Sequence, residues 1–476
     1  MSNEIKLFGN KRAGGARLAK RKKPQKQKKP LKVLAIWLTV ILLLEGAYFF
    51  AVYTDNSFVS YWRTVYINTA ISTMRHQWLA TALLPKSVVQ SVIDRNTQAA
   101  ASIDISTGST WGKTDADANP VPELPDSTLP STTPELETPD DGTQEIEVEV
   151  TRPKELTEEE LAALEREAFY ELYWELDQAT MEAWIAEHPE TLDNGWSGIY
   201  INEAGLDDKG TSIYTTMGEQ VLAVDVPNKL LLVRVSGSGY RGVLAIGKDA
   251  SRFCIGTSST ISQGDDPFEY GCGETVGTIA QNVDGGILAI PANGFIDVDQ
   301  MGNAGAGNGG RLSGYCMAQG VEYNVNYHAK NTSWHKFVRM EFHEDNLMYI
   351  KNVDDPVSEN CTDALEFEPP MIIDGEILVT DWWTEINPRA CVGQTDRYEI
   401  LMMMIEGRGA SGSLGTDINV CAQIFAKHGC MQAINVDGGT SGMMWYNGEY
   451  ITRCSNANTP EGRTIPNACV YRAKGE

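Results

Sequence analysis

Residues 400–409 read ILMMMIEGRG, and residues 431–442 read MQAINVDGGTSG. Each is an apolar run that breaks abruptly into charge and glycine. A strand that is apolar at every position is buried on both faces. Glu406 and Arg408 at the exit of such a strand are costly unless they are paired or used. They form either a structural ion pair or part of a site. The second run ends in Asp437, with Gly438, Gly439 and Ser441 close behind. Backbone N–H groups in a glycine turn of this kind can form an anion-binding nest. A lone Asp-Gly-Gly is also common in ordinary turns.

Around these runs, short β-branched stretches alternate with turn residues. Val221–Asp225, Leu230–Val235, Gly242–Ile246 and Gly286–Pro291 have strand character. Three hairpins are expected. Lys336–Phe342 and Leu347–Lys351 flank Asp345-Asn346, Met371–Ile373 and Glu376–Val379 flank Asp374-Gly375, and Met443–Tyr446 and Glu449–Thr452 flank Asn447-Gly448. Helices are sparse. Glu274–Asn282 is one, and Asp417–Lys427 is another, with Thr416 as possible N-cap and Gly429 at its C-terminal stop. The expectation is an α+β fold with a mixed-sheet globular domain over residues 191–476.

A third loop stands out in this domain. Residues 290–297 read IPANGFID, and a glycine-rich run, Gly302 to Gly310, follows. Asn293 and Asp297 leave an apolar strand here, and the glycines let backbone approach a ligand. A tight turn with a mobile loop is the plainer reading. Asp297 and Asp299 begin like a calcium loop, but Met301 and Asn308 break the EF-hand pattern. Calcium is therefore an open option with weak support, and the residues point to no definite cofactor. His328, His335, His343 and His428 show no metal-ligand spacing.

The 476-residue chain has a formal charge of -25, which argues against nucleic acid as a partner. The average hides a split. Residues 1–53 carry 12 Lys and Arg against Glu4 and Glu45, a net +10, which leaves -35 for the rest. Residues 1–32 form a basic tail. Residues 33–53, VLAIWLTVILLLEGAYFFAVY, are long and apolar enough to cross a bilayer. The basic flank places the N-terminus in the cytoplasm and everything after residue 53 outside. A cleaved signal peptide is the rival reading. The run is long for one, and no clear small-x-small site follows it.

Residues 54–105 read as a juxtamembrane helical segment, its apolar pattern from Tyr61 to Leu79 fitting one helix, with His76 structural. Residues 106–154 form a disordered acidic linker. Between Trp111 and Val150 it holds six prolines and eleven acids against one lysine. Residues 155–190 form a helical stalk or brace in which Glu155–Glu187 reads as one long helix, opened by a Thr157/Glu160 capping box. A dimerising coiled coil is the alternative. All nine cysteines follow the apolar span, and an oxidising compartment lets eight of them form four disulfides.

Six segments, taken in order, resemble the phosphodiester glycosidase family, which includes uncovering-enzyme-like α-N-acetylglucosaminidases and bacterial exopolysaccharide-type relatives. They are Gly242–Ile246 with Lys248-Asp249, Ala292–Phe295, Pro388–Gln394, Glu406–Arg408, Asn435–Ser441 and Arg463–Ala468. The resemblance spans roughly residues 195–473. Glu406 stands where the family has Asp, and Thr440 where it has a further glycine.

The resemblance implies a hydrolase that cleaves a sugar-1-phosphodiester on the sugar side; with the apolar span and its basic flank, the expectation is a membrane-anchored extracellular enzyme acting on a cell-surface or exopolysaccharide glycan. Such chemistry needs a carboxylate as nucleophile or base, and arginines to hold phosphate. On that reading Asp437, Glu406 and Arg408 are catalytic. Asn293, Asp297, Arg389, Gly438, Gly439, Ser441 and Arg463 bind substrate. A non-catalytic glycan-binding module and a cell-envelope polymer phosphotransferase remain alternatives.

Overall fold

The computed structural model describes residues 29–73, 77–103, 105, 109, 111, 156–206, 209–261, 271–298, 307–331, 335–379 and 383–475. Most of the basic tail, nearly all of the acidic linker, His76, Asp299, Met301 and Gly302 lie outside them. The chain divides into two units, residues 1–60 and 61–476. The first contains α1, Lys29–Tyr53, whose stretch Leu31–Tyr53 is long and apolar enough to cross a membrane.

The juxtamembrane segment is not one helix. It forms α2 (Ser57–Ile71), α3 (Trp78–Leu83) and α4 (Lys86–Ser102). Leu84 is extended (φ -119°, ψ 145°), as the residue before a proline tends to be, and Pro85 restarts the chain as the N-cap of α4. Ile67, Ala70, Ala80, Val89 and Val92 form a small core within this segment.

The expected long helix is likewise broken, into α5 (Glu158–Leu172) and α6 (Gln178–Glu187). The Thr157/Glu160 capping box forms as expected. Between the helices, Glu175 is drawn into the interior by Lys248, at 2.6 Å, and Asp177 caps α6 through Thr180 N. Phe169, Tyr173, Leu176 and Met181 enter the main core, so α5 and α6 brace the domain.

Nine strands form the central sheet. In spatial order they are Tyr200–Asn202, Gln220–Asp225, Leu230–Gly237, Tyr240–Gly247, Ile400–Ile405, Arg389–Thr395, Cys430–Val436, Pro370–Ile373 and Glu376–Ile377. Neighbours are antiparallel throughout. Ile400–Ile405 lies mid-sheet, with all six residues buried. Two five-stranded sheets complete an α+β fold with α7 (Val276–Asn282) and α8 (Ile418–Lys427). The N-cap of α8 is Asp417, which accepts from Val420 N at 3.0 Å, rather than Thr416.

The hairpin turns are where expected. Asn447 (φ 48°) and Gly448 (φ 97°) join Trp445–Tyr446 to Glu449–Tyr450. The expected disulfides are absent from the structure: all nine cysteines are thiols, eight of them buried in the packed interior.

The register explains how distant segments meet. Arg389 pairs with Ile405, and Ala390 pairs with Val436. The strands on either side of Arg389–Thr395 both run opposite to it, so both exit at the end where it begins. Residues 406–408, 388–389 and 437–439 therefore emerge together at one end of the sheet.

Candidate active site

A cleft of about 1330 Å³ opens at this end of the sheet. Asp437, Gly438, Gly439, Ser441, Arg389, Arg408, Arg463 and Asp297 all line it; Glu406 and Asn293 do not.

Asp437 follows immediately on the strand Cys430–Val436, and its N–H donates to Ala292 O at 2.9 Å. Its Oδ2 is buried and without a hydrogen-bond partner among the described residues. Burial pushes this carboxyl up to about 7. Ser441 and Arg463 pull it down, and Asp297 adds to the rise. The group can thus exchange a proton near neutral pH.

The turn after Asp437 is packed backbone to backbone. A Cβ on Gly438 would stand 2.6 Å from Pro388 O. Gly439 has φ +59° and donates to Pro388 O at 3.0 Å. Glycine is needed at both positions, for close approach at one and conformation at the other.

The three arginines differ in what holds them. Arg389 is 6% exposed; it bonds Glu385 Oε1 at 3.2 Å, Glu385 O at 2.7 Å and Thr416 O at 3.2 Å. Arg463 places Nη1 and Nη2 on Asp297 at 2.8 and 2.6 Å, and stacks its guanidinium 4.5 Å from the Phe295 ring centre. Arg408 has no carboxylate partner among the described residues. Its Nη2 donates to Asn387 Oδ1 at 3.2 Å, and its backbone sits in the left-handed region at φ 55°. Partial desolvation, and then the like charge of Arg389, lower its pKa. An anion beside it would relieve both.

Two candidates are occupied elsewhere. The Asn293 amide donates to Tyr315 O and Glu366 O at 3.0 and 3.2 Å and accepts from Asn467 Nδ2 at 2.8 Å. It ties strands together and does not line the cleft. Glu406 is 4% exposed and accepts from Arg453 N at 2.5 Å. Its Oε2 is buried without a partner among the described residues. No ion pair links Glu406 to Arg408 among the described residues. Asp297, where a calcium loop would begin, gives both carboxylate oxygens to Arg463.

Other groups in the cleft carry no obvious sequence signal. His335 Nδ1 meets Glu368 Oε1 at 2.5 Å, and both residues line the cleft. The hydrogen bond to Glu368 raises the His335 pKa, and burial raises that of Glu368. These two, with Glu385 and Asn387, were missed because no spacing marks them. Extending the Pro388-Arg389 segment three residues upstream reaches Glu385 and Asn387.

With Arg389 on Glu385, Arg463 on Asp297 and His335 on Glu368, one carboxyl and one guanidinium remain among the charged groups named in the cleft: Asp437 and Arg408. A carboxyl with a buried oxygen and an arginine without a carboxylate partner, lining one cleft, suit an electrophilic centre attached to an anionic group.

Residues 284–472 match the family model described as phosphodiester glycosidase. Among solved structures, the zebrafish N-acetylglucosamine-1-phosphodiester alpha-N-acetylglucosaminidase catalytic domain, auto-inhibited by its pro-peptide, is 15% identical, with 52% of this chain and 82% of that one covered and a TM-score of 0.39. A hypothetical protein from Synechocystis is 11% identical, with 55% and 65% covered and a TM-score of 0.35. No curated protein matches the chain. The matched span contains every candidate site residue. It leaves out Lys248 and Asp249, whose side chains are held by Glu175 and Glu399 and by Lys229 respectively.

Proposed function

Because residues 284–472 match the phosphodiester glycosidase family model, we propose that this chain hydrolyses a sugar-1-phosphodiester on the sugar side. The substrate is a GlcNAc-1-phosphate-type linkage in a cell-surface or exopolysaccharide glycan. The helix α1 anchors the enzyme in the membrane, with residues 1–32 cytoplasmic and the catalytic domain outside. The observation that carries the reading is the pairing pattern of the cleft, in which neither Asp437 nor Arg408 forms an ion pair among the described residues.

Ionised Asp437 either attacks the anomeric carbon or takes the proton of an attacking water. The C1–O bond breaks as oxocarbenium character develops. Its electron pair leaves with the phosphate oxygen, and Arg408 stabilises the charge gathering there. Water supplies the hydroxyl of the free sugar. Its proton passes through Asp437 to solvent. Ser441 orients the Asp437 carboxyl, and the Gly438-Gly439 backbone fixes its approach.

The pairing also eases the mismatch between an acidic ectodomain and an anionic substrate. Three of the four cleft acids are compensated in place, so a phosphodiester meets a local field dominated by Arg408.

The test is release of reducing sugar from a panel of sugar-1-phosphodiesters by the detergent-solubilised full chain. Release from a GlcNAc-1-phosphodiester, lost in Asp437→Asn with folding intact, is expected. Binding without release would make the domain a glycan-binding module instead.

A further inference from the structure

The cleft has a wall that lies outside the family domain. Thr69 and Ile71 from α2, Ser72 and Thr73 after it, Gln77 and Ile93 line it, some 200 residues before the matched span. This wall is fastened by polar bonds. Asn68 Nδ2 donates to Thr384 Oγ1 at 3.0 Å, and Ile386 N donates to Thr69 Oγ1 at 3.1 Å. Asn96 of α4 donates to Asn68 Oδ1 at 2.9 Å. Asn68 and Asn96 are each 2% exposed. Buried amides are expensive for simple packing and fix geometry when satisfied.

The last link reaches Arg408. Ser72 Oγ donates to Thr69 O at 3.0 Å, so its lone pairs face outward and accept from Asn387 Nδ2 at 3.2 Å. Asn387 then presents Oδ1 to Arg408 Nη2 at 3.2 Å. An amide has one donor end and one acceptor end. With its donor end claimed by Ser72, the acceptor end must face the guanidinium. Without Ser72, the amide can turn over and set NH₂ against a cation.

We infer that Ser72 is a positioning residue of the active site: through the Asn387 amide it orients Arg408 for the substrate phosphate, so the juxtamembrane segment completes the cleft. This rests on the proposed role of Arg408. It goes beyond that role by placing part of the phosphate site in sequence outside the catalytic domain.

The experiment uses the full chain in detergent. Ser72→Ala, Ser72→Thr and Asn387→Asp are compared with the unmodified protein. The readouts are kcat and KM on a GlcNAc-1-phosphodiester, Kd for inorganic phosphate by calorimetry, and the thermal midpoint. Ser72→Ala should raise KM and the phosphate Kd together by about fivefold, the scale of one hydrogen bond, with kcat and the thermal midpoint nearly unchanged. Ser72→Thr keeps the hydroxyl and should restore both. Asn387→Asp gives Arg408 a carboxylate and should weaken phosphate more than tenfold.

Unchanged KM and Kd in an active Ser72→Ala protein would overturn the inference and leave the proposed function standing. So would a fall in kcat and thermal midpoint together, or a gain in activity, which would make the wall structural or obstructive. An unmodified protein that neither turns over nor binds phosphate would remove the proposed function itself, and this inference with it.

Discussion

Arg463 and Asp297 are 166 residues apart and meet as a two-pronged ion pair, at 2.6 and 2.8 Å. Each was expected to bind substrate separately. Joined, they hold the loop after Pro291 against the C-terminal segment. Arg463 Nη2 also donates to Gly307 O at 3.1 Å, so a third segment is tied to the same knot. Removing one partner strands the other in a mostly buried place. Arg463→Ala should cost about 3 kcal/mol by urea unfolding. Arg463→Lys should recover only part, since an ammonium cannot match both carboxylate oxygens. Full stability in Arg463→Ala would show that the pair contributes nothing net.

Asp437 gives the sharpest pH dependence. Its carboxyl lies near 7 because of burial. In its proposed role as base or nucleophile it must be ionised, so kcat/KM should climb as pH rises through about 7. Asp437→Asn should abolish that limb and reduce turnover at least a hundredfold. A rate that falls over the same interval would instead make the protonated acid the working form.

The same group bears on stability, with the opposite preference. A pKa raised from 3.8 to about 7 means that the folded state binds more protons than the unfolded state between those values. Its contribution is present at acid pH and is lost as pH rises through 7. Asp437→Asn should therefore be more stable than the unmodified protein at pH 8, and little different at pH 4. Thermal midpoints of both proteins across that range decide it. The site would then hold a carboxylate that the fold disfavours, for the sake of chemistry.

Much of the scaffold was legible because it is local. The Asp374-Gly375 and Asn447-Gly448 turns need positive φ and carry the residues that adopt it. The six apolar residues Ile400–Ile405 could be buried only mid-sheet, and they are. What failed was non-local. The helix expected over residues 155–187 breaks because Glu175 must reach Lys248, 73 residues on. Asn293 reads as a ligand residue until Asn467, Tyr315 and Glu366 are seen to consume its amide. The same holds within the site: Asp437, Arg408 and the glycines were visible as types. Which arginine stays unpaired depends on Glu385 and Asp297 arriving from elsewhere.

His335 and Glu368 predict a further loss of stability toward alkaline pH. The Glu368 hydrogen bond raises the histidine, while burial raises Glu368 despite that bond. Both shifts make the folded state retain protons that the unfolded state has released. The stability from His335 is complete below its ordinary value of 6.5 and disappears as pH passes its raised folded value. The double replacement His335→Gln, Glu368→Gln should give a flatter stability curve between pH 5 and pH 8, measured by urea titration. An unaltered slope would mean that the pair is neutral throughout.

Gly438 and Gly439 separate two reasons for glycine in adjacent positions. At Gly438 the obstacle is backbone: an added Cβ falls 2.6 Å from Pro388 O, and neither chain can yield without moving Asp437 or Arg389. At Gly439 the nearest atom is Arg408 Nη2 at 3.4 Å, the far end of a flexible side chain, and the strain is that of φ +59°. Gly439→Ala should therefore fold with a loss of about 1 kcal/mol and a modest rise in KM, because it touches only the guanidinium. Gly438→Ala displaces the carboxyl itself. A shift of about 1 Å at the reacting group can cost on the order of a hundredfold in rate, so kcat should fall far more than KM rises. Equal kinetic effects at the two positions would mean that the turn moves as one piece, and that contact with Pro388 does not set where Asp437 points.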